Sequence, residues 1–255
     1  MSRFVDKLQR LSKSSSAPIG FHASASESRG PRMLLIAGLS GTEVKEARTA
    51  ASVNADAGLI LGENPGTGSV KQMVQAAGLV PLGAFVKGMG QEDMDELVRS
   101  GCDFVVFEMK AATSVLHKEE VGRILMIDPS LDLGLVRAIN GIGVDGVFVN
   151  TGDGGTFVAV EHLLVCRRFV ELLEKPVVLA LPSLITKAEL TSIWQAGVDG
   201  VVSPPSQSAA ALTELKEMIG GLPRGARGRR AKADAMLPHY GEGGAGEEDE
   251  DIEEI

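Results

Sequence analysis

The chain has 255 residues, a length that suits two small domains or one large α/β barrel. Hydrophobic residues make up 44% of it and aromatic residues only 4%, so the composition predicts a large core of aliphatic side chains. The net charge of −9 argues against a general nucleic-acid-binding protein, because phosphate contacts need clustered lysine and arginine.

The first predicted unit, residues 1–31, combines a short helix with a loop. Apolar residues at helical spacing predict the helix from about Ser2 to Lys13, and a run rich in Ser, Gly and Pro follows. We expect the helix to cap one end of the fold. No apolar run has the length or flanks of a signal peptide or a membrane span, so we predict a cytoplasmic protein without membrane contacts.

From Met33 onward an apolar strand-like run alternates with an amphipathic helical run, eight times over. Strands separated by helices must be parallel, because parallel neighbours need a long crossover. Residues 32–222 therefore predict a closed (β/α)8 TIM barrel, with an open doubly wound sheet as the alternative. The predicted strands are Met33–Leu39, Gly58–Leu61, Val80–Val86, Asp103–Glu108, Arg123–Asp128, Asp145–Asn150, Val177–Leu181 and Gly200–Val202. The clearest predicted helices are Glu43–Val53, Ser69–Ala77, Glu92–Ser100, Ala159–Glu174, Lys187–Ala196 and Ala209–Ile219.

A short repeat opens the even-numbered strands. An aspartate preceded by two small or apolar residues stands at Asp103, Asp145 and Asp199, and more loosely at Asp56. A feature of alternate strands suits a βαβα unit used four times. We expect these aspartates to bind neighbouring backbone and to stabilise the barrel, because they precede their strands.

The fourth predicted strand ends in charged residues. Side chains alternate along a strand, so Glu108 and Lys110 share one face with Phe104 and Val106. The outer face packs on helices, where a carboxylate without water would be costly. We therefore expect Glu108 and Lys110 to point into the barrel.

Polar residues follow most of the strands, at the end where TIM barrels carry their active sites. Lys110 is the first candidate, as a Schiff-base nucleophile or general base whose pKa is lowered by the second ammonium of Lys87. Glu108 or Asp128 would then carry the proton, and Lys87 would act as an electrostatic clamp. A ring of salt bridges between strand ends is the structural alternative. The candidate substrate-binding residues are Glu63, Asn64, Asn150, Asp153, Ser183 and Ser203.

No cofactor is predicted, and magnesium is kept as an alternative. Its oxygen ligands would be the carboxylates of Glu63, Glu108, Asp128 and Asp153. No histidine follows a strand, which argues against zinc. The two cysteines lie far apart without metal-ligand spacing, which argues against a disulfide framework and favours a reducing compartment.

The segment Pro176–Pro204, PVVLALPSLITKAELTSIWQAGVDGVVSP, resembles the last quarter of aldolase-type and ribulose-phosphate-binding TIM barrels, some of which bind flavin. The resemblance implies a phosphate held by backbone N–H groups after strands 7 and 8. This chain has Pro182 and Pro204-Pro205 there, and proline has no N–H to donate. Class I aldolases of this superfamily often carry their Schiff-base lysine on strand 6, where this chain has Asn150.

The leading hypothesis is an enzyme of the lyase or isomerase type that acts on a small oxygenated carbon compound. The alternative is a non-catalytic barrel that serves as a scaffold or binding protein, and a flavin-binding barrel is third. Residues 223–255, basic and then acidic, are predicted to be a disordered tail. That tail is also a candidate for docking a protein partner. Assembly of the protein into a homo-oligomer is kept as an alternative.

Overall fold

A computed structural model describes residues 2–14, 31–88, 90–150 and 157–223. The predicted loop before residue 31 and the predicted tail from residue 224 lie outside the described residues. The division of the chain into three parts stays a prediction. Within the described ranges no helix has both the length and the apolarity that crossing a bilayer requires.

Eight parallel strands close into a barrel in sequence order, and the last pairs with the first through Leu34–Gly200 and Ile36–Val202. This confirms the predicted (β/α)8 barrel and excludes the open sheet. The strands are β1 Leu34–Leu39, β2 Ala57–Ile60, β3 Leu82–Val86, β4 Phe104–Glu108, β5 Gly122–Ile127, β6 Gly146–Val149, β7 Val177–Ala180 and β8 Gly200–Val202.

The α-helices lie between and around the strands. They are α1 Arg3–Ser14, α2 Val44–Ser52, α3 Thr67–Ala77, α4 Gln91–Arg99, α5 Leu133–Ala138, α6 Val160–Leu172, α7 Lys187–Gln195 and α8 Ala209–Gly220. The connection between β4 and β5 is instead a 3₁₀ helix, Thr113–His117, and a second 3₁₀ turn follows α5.

Two apolar clusters hold this architecture together. The larger one lies between the outer face of the strands and the surrounding helices. The smaller one fills the barrel interior and includes Phe104 and Val106 of β4, which confirms the predicted inward face of that strand. Phe4 and Leu8 of α1 belong to the interior cluster, so α1 covers the N-terminal end of the barrel.

The aspartates of the repeat bind backbone, as the sequence predicts. Asp56, Asp145 and Asp199 each accept the N–H of a residue on the preceding strand, at 2.8 to 2.9 Å. Asp103 differs, because its carboxylate accepts the N–H groups of Arg3 and Phe4, both at 3.0 Å. One member of the repeat thus fastens α1 to the barrel.

The start of α7 carries a carboxylate whose ionisation should set part of the acid stability. The carboxylate of Glu189 accepts the N–H and hydroxyl of Thr186, both at 2.7 Å, and the N–H of Val158 at 3.1 Å. The bonds from Thr186 contribute most to lowering the pKa of Glu189. A carboxyl group with a lowered pKa stabilises the fold above its ordinary pKa, and this contribution is lost as the pH falls through the lowered value.

We therefore expect Glu189→Gln to have a smaller free energy of unfolding than the parent protein at neutral pH, and the two values to converge as the pH falls through the lowered pKa of Glu189. Urea titrations between pH 3 and pH 7 measure this difference. Glu214→Gln, an exposed change of the same charge on α8, is the control. A difference for Glu189→Gln that does not vary with pH would contradict the prediction.

Candidate functional site

A cavity of about 430 Å³ opens at the C-terminal end of the barrel. Its apolar lining comes from the inward rows of the strands and includes Phe85, Met126, Phe148, Ala180 and Val202. The polar side chains that line it are those of Glu63, Glu108, Asn150 and Ser203. This volume and this mixture of apolar surface with few polar groups are typical of small-molecule sites.

Glu108 is the last residue of β4 and lines the cavity. Its side chain points inward because Phe104 and Val106, on the same face of the strand, fill the barrel interior. The residue is half-buried, and among the described residues its carboxylate has neither a hydrogen bond nor an ion pair. A carboxylate above an apolar floor can accept a proton or a hydrogen bond from a bound ligand.

Lys87 follows β3 and is paired with Glu63. The Lys87 Nζ atom lies 3.0 Å from Glu63 Oε1, and both side chains are about half exposed or more. The hydrogen bond and the charge of Glu63, and then the charge of Glu108, raise the pKa of Lys87. The Lys87 ammonium therefore keeps its charge, and the carboxylate of Glu63 balances that charge at the rim of the cavity.

Asn64 positions this pair through the backbone. Its side-chain amide donates to the Lys87 carbonyl at 2.9 Å and accepts the Lys87 N–H at 2.8 Å. Asn64 has a φ of 48°, which asparagine adopts more readily than most other residues. The β2 and β3 ends are thus tied together by Asn64 and by the ion pair above it.

Three of the predicted catalytic residues, Lys87 at the rim, Lys110 and Asp128, do not line the cavity. Lys110 lies beyond the end of β4, in a turn closed by the bond from Ala111 N–H to the Glu108 carbonyl, and it is exposed. Strand alternation stops at Glu108, so Lys110 does not follow it inward. The Asp128 carboxylate accepts the N–H of Ser130 at 2.7 Å and its hydroxyl, and these bonds lower the pKa of Asp128.

The predicted substrate-binding residues are divided in the same way. Asn150 and Ser203 line the cavity, whereas Ser183 lies outside its lining and its hydroxyl donates to the Leu184 carbonyl at 3.3 Å. Asp153 lies outside the described residues. Ser203 is buried, and its hydroxyl accepts the Gly38 N–H at 3.1 Å and donates to the Pro204 carbonyl at 3.2 Å.

Sequence reasoning did not find Glu46 of α2. One of its oxygens accepts the Ser40 N–H at 2.6 Å, and the other accepts the Ser206 hydroxyl at 2.6 Å. Glu46 thereby joins the loop after β1 to the loop after β8. No local signal marks this contact, because Ser206 and Glu46 are 160 residues apart in the chain.

The proposed magnesium ligands do not form a cluster in the part of the chain that the structure describes. Over those residues no group of three or more His, Cys, Asp and Glu side chains could hold a metal ion. The two cysteines are buried, and burial is the main cause that raises the pKa of Cys102 and of Cys166 to about 12. Both thiols therefore stay protonated, which makes them poor nucleophiles.

No protein-family model and no curated protein matches this chain. Solved structures do match it. Tryptophan synthase from Mycobacterium tuberculosis aligns with a TM-score of 0.61 at 15% identity, covering 88% of this chain and 99% of the other. A mutant tryptophan synthase alpha-subunit from Pyrococcus furiosus gives 0.58 at 12% identity, covering 74% and 97%. A protein from Aquifex aeolicus VF5 gives 0.59 at 14% identity, covering 88% and 100%. The likeness shows the fold that the resemblance implied, a closed (β/α)8 barrel.

Proposed function

We propose that the protein is an enzyme of the lyase or isomerase type, and that Glu108 moves a proton on a small oxygenated carbon compound bound in the cavity. The observation that carries this proposal is the half-buried carboxylate of Glu108 above an apolar floor, without a hydrogen-bond partner among the described residues. Characterised TIM-barrel enzymes place their catalytic groups at this end of the strands.

Other residues of the site have supporting roles in this proposal. Asn150 binds a substrate oxygen, and the Lys87–Glu63 pair sets the potential at the rim, 3.0 Å apart. The solved tryptophan synthase structures, which belong to a lyase, favour the lyase class. We assign Asp128 a structural role in the turn after β5, because its carboxylate accepts the N–H of Ser130.

Proton transfer can be measured without knowing the substrate. We expect the protein to exchange the proton next to the carbonyl group of a hydroxyketone or hydroxyaldehyde for deuterium in D2O, followed by NMR over a panel of small compounds. Glu108→Gln should slow this exchange by about 10²-fold or more, because the amide cannot accept the proton. Glu171→Gln, an equal change of charge on the outside of α6, should leave it unchanged.

The panel has an outcome that removes the proposal. Exchange at the same rate in the parent protein and in Glu108→Gln would show that another group moves the proton. Exchange no faster than in buffer, with every compound, would show that the cavity does not catalyse proton transfer.

Lys110 as a Schiff-base lysine is a separate prediction with its own test. Borohydride in the presence of aldehydes and ketones traps a Schiff base as a stable adduct. Because Lys110 is exposed and lies outside the cavity lining, we expect Lys110→Ala to be labelled as strongly as the parent protein. Loss of the label in this variant, with Lys71→Ala unchanged as the control, would restore the nucleophile role to Lys110.

A non-catalytic binding barrel is the second candidate, favoured by Pro182, Pro204 and Pro205 at the positions where the resemblance implies phosphate contacts. A thermal-shift screen with sugar phosphates, flavins and divalent ions separates the two, because a ligand of the native state raises its melting temperature. No shift with any of them would favour a scaffold. A purified sample without yellow colour would count against the flavin barrel.

Partners of the protein are also part of the proposal. The Pyrococcus furiosus structure is described as an alpha-subunit, so a barrel of this fold serves as a subunit of an assembly. By analogy we assign residues 223–255 to docking of a protein partner. Size-exclusion chromatography with light scattering, on the full chain and on a chain ending at residue 222, tests whether the protein forms a homo-oligomer and whether these residues contribute to it.

A further inference from the structure

The charge of the cavity lining restricts what can bind there. Of the four polar side chains that line it, Glu63 and Glu108 are acidic, whereas Asn150 and Ser203 are neutral. None of the lining residues in the described part of the chain is a lysine, arginine or histidine. Lys87 stands at the rim, but its ammonium is hydrogen-bonded to Glu63 at 3.0 Å.

Three of the lining residues in the loops after β7 and β8 cannot donate a backbone hydrogen bond to an anion. Pro182, Pro204 and Pro205 line the cavity on that side, and none of them has a backbone N–H. The hydroxyl of Ser203 already accepts one hydrogen bond and donates another.

A carboxylate already occupies the region near the start of α8. Glu46 accepts the hydroxyl of Ser206, which lies two residues before Ser208, the N-cap of that helix. In the first turn of α8, the N–H of Ala211 is satisfied by the Ser208 hydroxyl at 3.2 Å. The charge of Glu46 opposes binding of a second anion beside it.

We infer that the ligand of this cavity carries no phosphate or other anionic group, and that it presents a hydroxyl or ammonium donor to Glu108 while its apolar body rests on Phe85, Met126 and Phe148. This inference rests on the cavity of the proposed function and adds the class of substrate. An anion would have to lose its hydration beside Glu108, and none of the described lining residues offers a cation to replace that hydration. A donor satisfies the Glu108 carboxylate instead.

Three matched probes test the inference on the full-length protein: 2-phenylethanol, 2-phenylethylamine and 2-phenylethyl phosphate. They share one apolar body and differ only in the head group. Saturation-transfer NMR detects binding, and titration gives each Kd. We expect the alcohol and the amine to bind at least about ten-fold more tightly than the phosphate.

Two variants assign the binding to the cavity. Ala180→Leu fills the cavity from β7 and should abolish binding of the alcohol and the amine. Glu108→Gln should weaken the amine more than the alcohol, because only the amine loses a charge pair. Glu171→Gln on the outside of α6 should change neither, and circular dichroism checks that each variant is folded.

The inference is overturned if the phosphate binds as tightly as the alcohol, if neither the alcohol nor the amine binds, or if a folded Ala180→Leu variant still binds them. These outcomes are separable from the fate of the proposed function. Binding of the alcohol and amine without deuterium exchange would support the inference and remove the proton-transfer proposal. Deuterium exchange on a phosphorylated ketone alone would do the reverse.

Discussion

Replacing Phe4 by alanine should lower the free energy of unfolding by about 3–5 kcal/mol, the usual cost of deleting a buried phenylalanine ring. Phe4 is only 1% exposed, and its ring centroid lies 4.3 Å from that of Phe104 inside the barrel. Removing the ring opens a cavity at the N-terminal end of the barrel, where α1 is the cover. Helix α1 cannot move inward to fill this cavity, because the hydrogen bonds to Asp103 fix its first residues.

Urea unfolding followed by circular dichroism measures this loss, and Arg10→Ala is the matched control. Arg10 is on the same helix but is exposed, so its replacement should change the free energy of unfolding by less than about 0.5 kcal/mol. Equal effects of the two substitutions would mean that α1 does not contribute to the core. Asp103→Asn should have an intermediate effect, since it weakens the bonds to the start of α1 and leaves the ring in place.

The barrel strands could be predicted because burial on both faces leaves a continuous apolar run in the sequence. Among the strands the largest boundary error was at the start of β3, which begins at Leu82 and not at Val80. Pro81 explains part of this difference, since a proline cannot donate to a strand ladder. Helix α5 was missed for another reason. It has only six residues, and its Leu133 and Leu135 are exposed, so it lacks a readable apolar face.

Residues of the candidate site could be predicted only where the alternation of a β-strand determines the direction of the side chain. Alternation along β4 placed Glu108 inward correctly, and it misled for Lys110 because the chain turns after the strand ends. The Asp128–Ser130 contact follows from local chemistry, since aspartate commonly binds the backbone two residues on. The Lys87–Glu63 pair depends on two long side chains from different strand ends, and nothing in either local sequence specifies it.

Replacing Gly38 by alanine should destabilise the protein by about 3 kcal/mol, near the upper end of what overpacking usually costs. Gly38 lies on β1, and an added Cβ atom would meet the carbonyl oxygen of Ser203 at 2.1 Å. That oxygen belongs to the backbone, so no change of rotamer relieves the contact. The same segment bonds to β1 through Ser203 N–H to Ile36 oxygen at 2.9 Å and Gly38 N–H to the Ser203 hydroxyl at 3.1 Å.

The close approach at Gly38 is therefore part of the packing of β8 against β1. Moving these two strands apart would displace Ser203 and so change the rim of the cavity. Gly68→Ala is the matched control, because its added Cβ meets nothing within 4 Å in α3. Alanine in a helix should stabilise it by about 0.5–1 kcal/mol relative to glycine. Denaturant titrations of both variants should thus give shifts of opposite sign. Shifts of the same sign and size would show that β1 and β8 can move apart without loss of stability. The contact between Gly38 and Ser203 would then not determine the shape of the site.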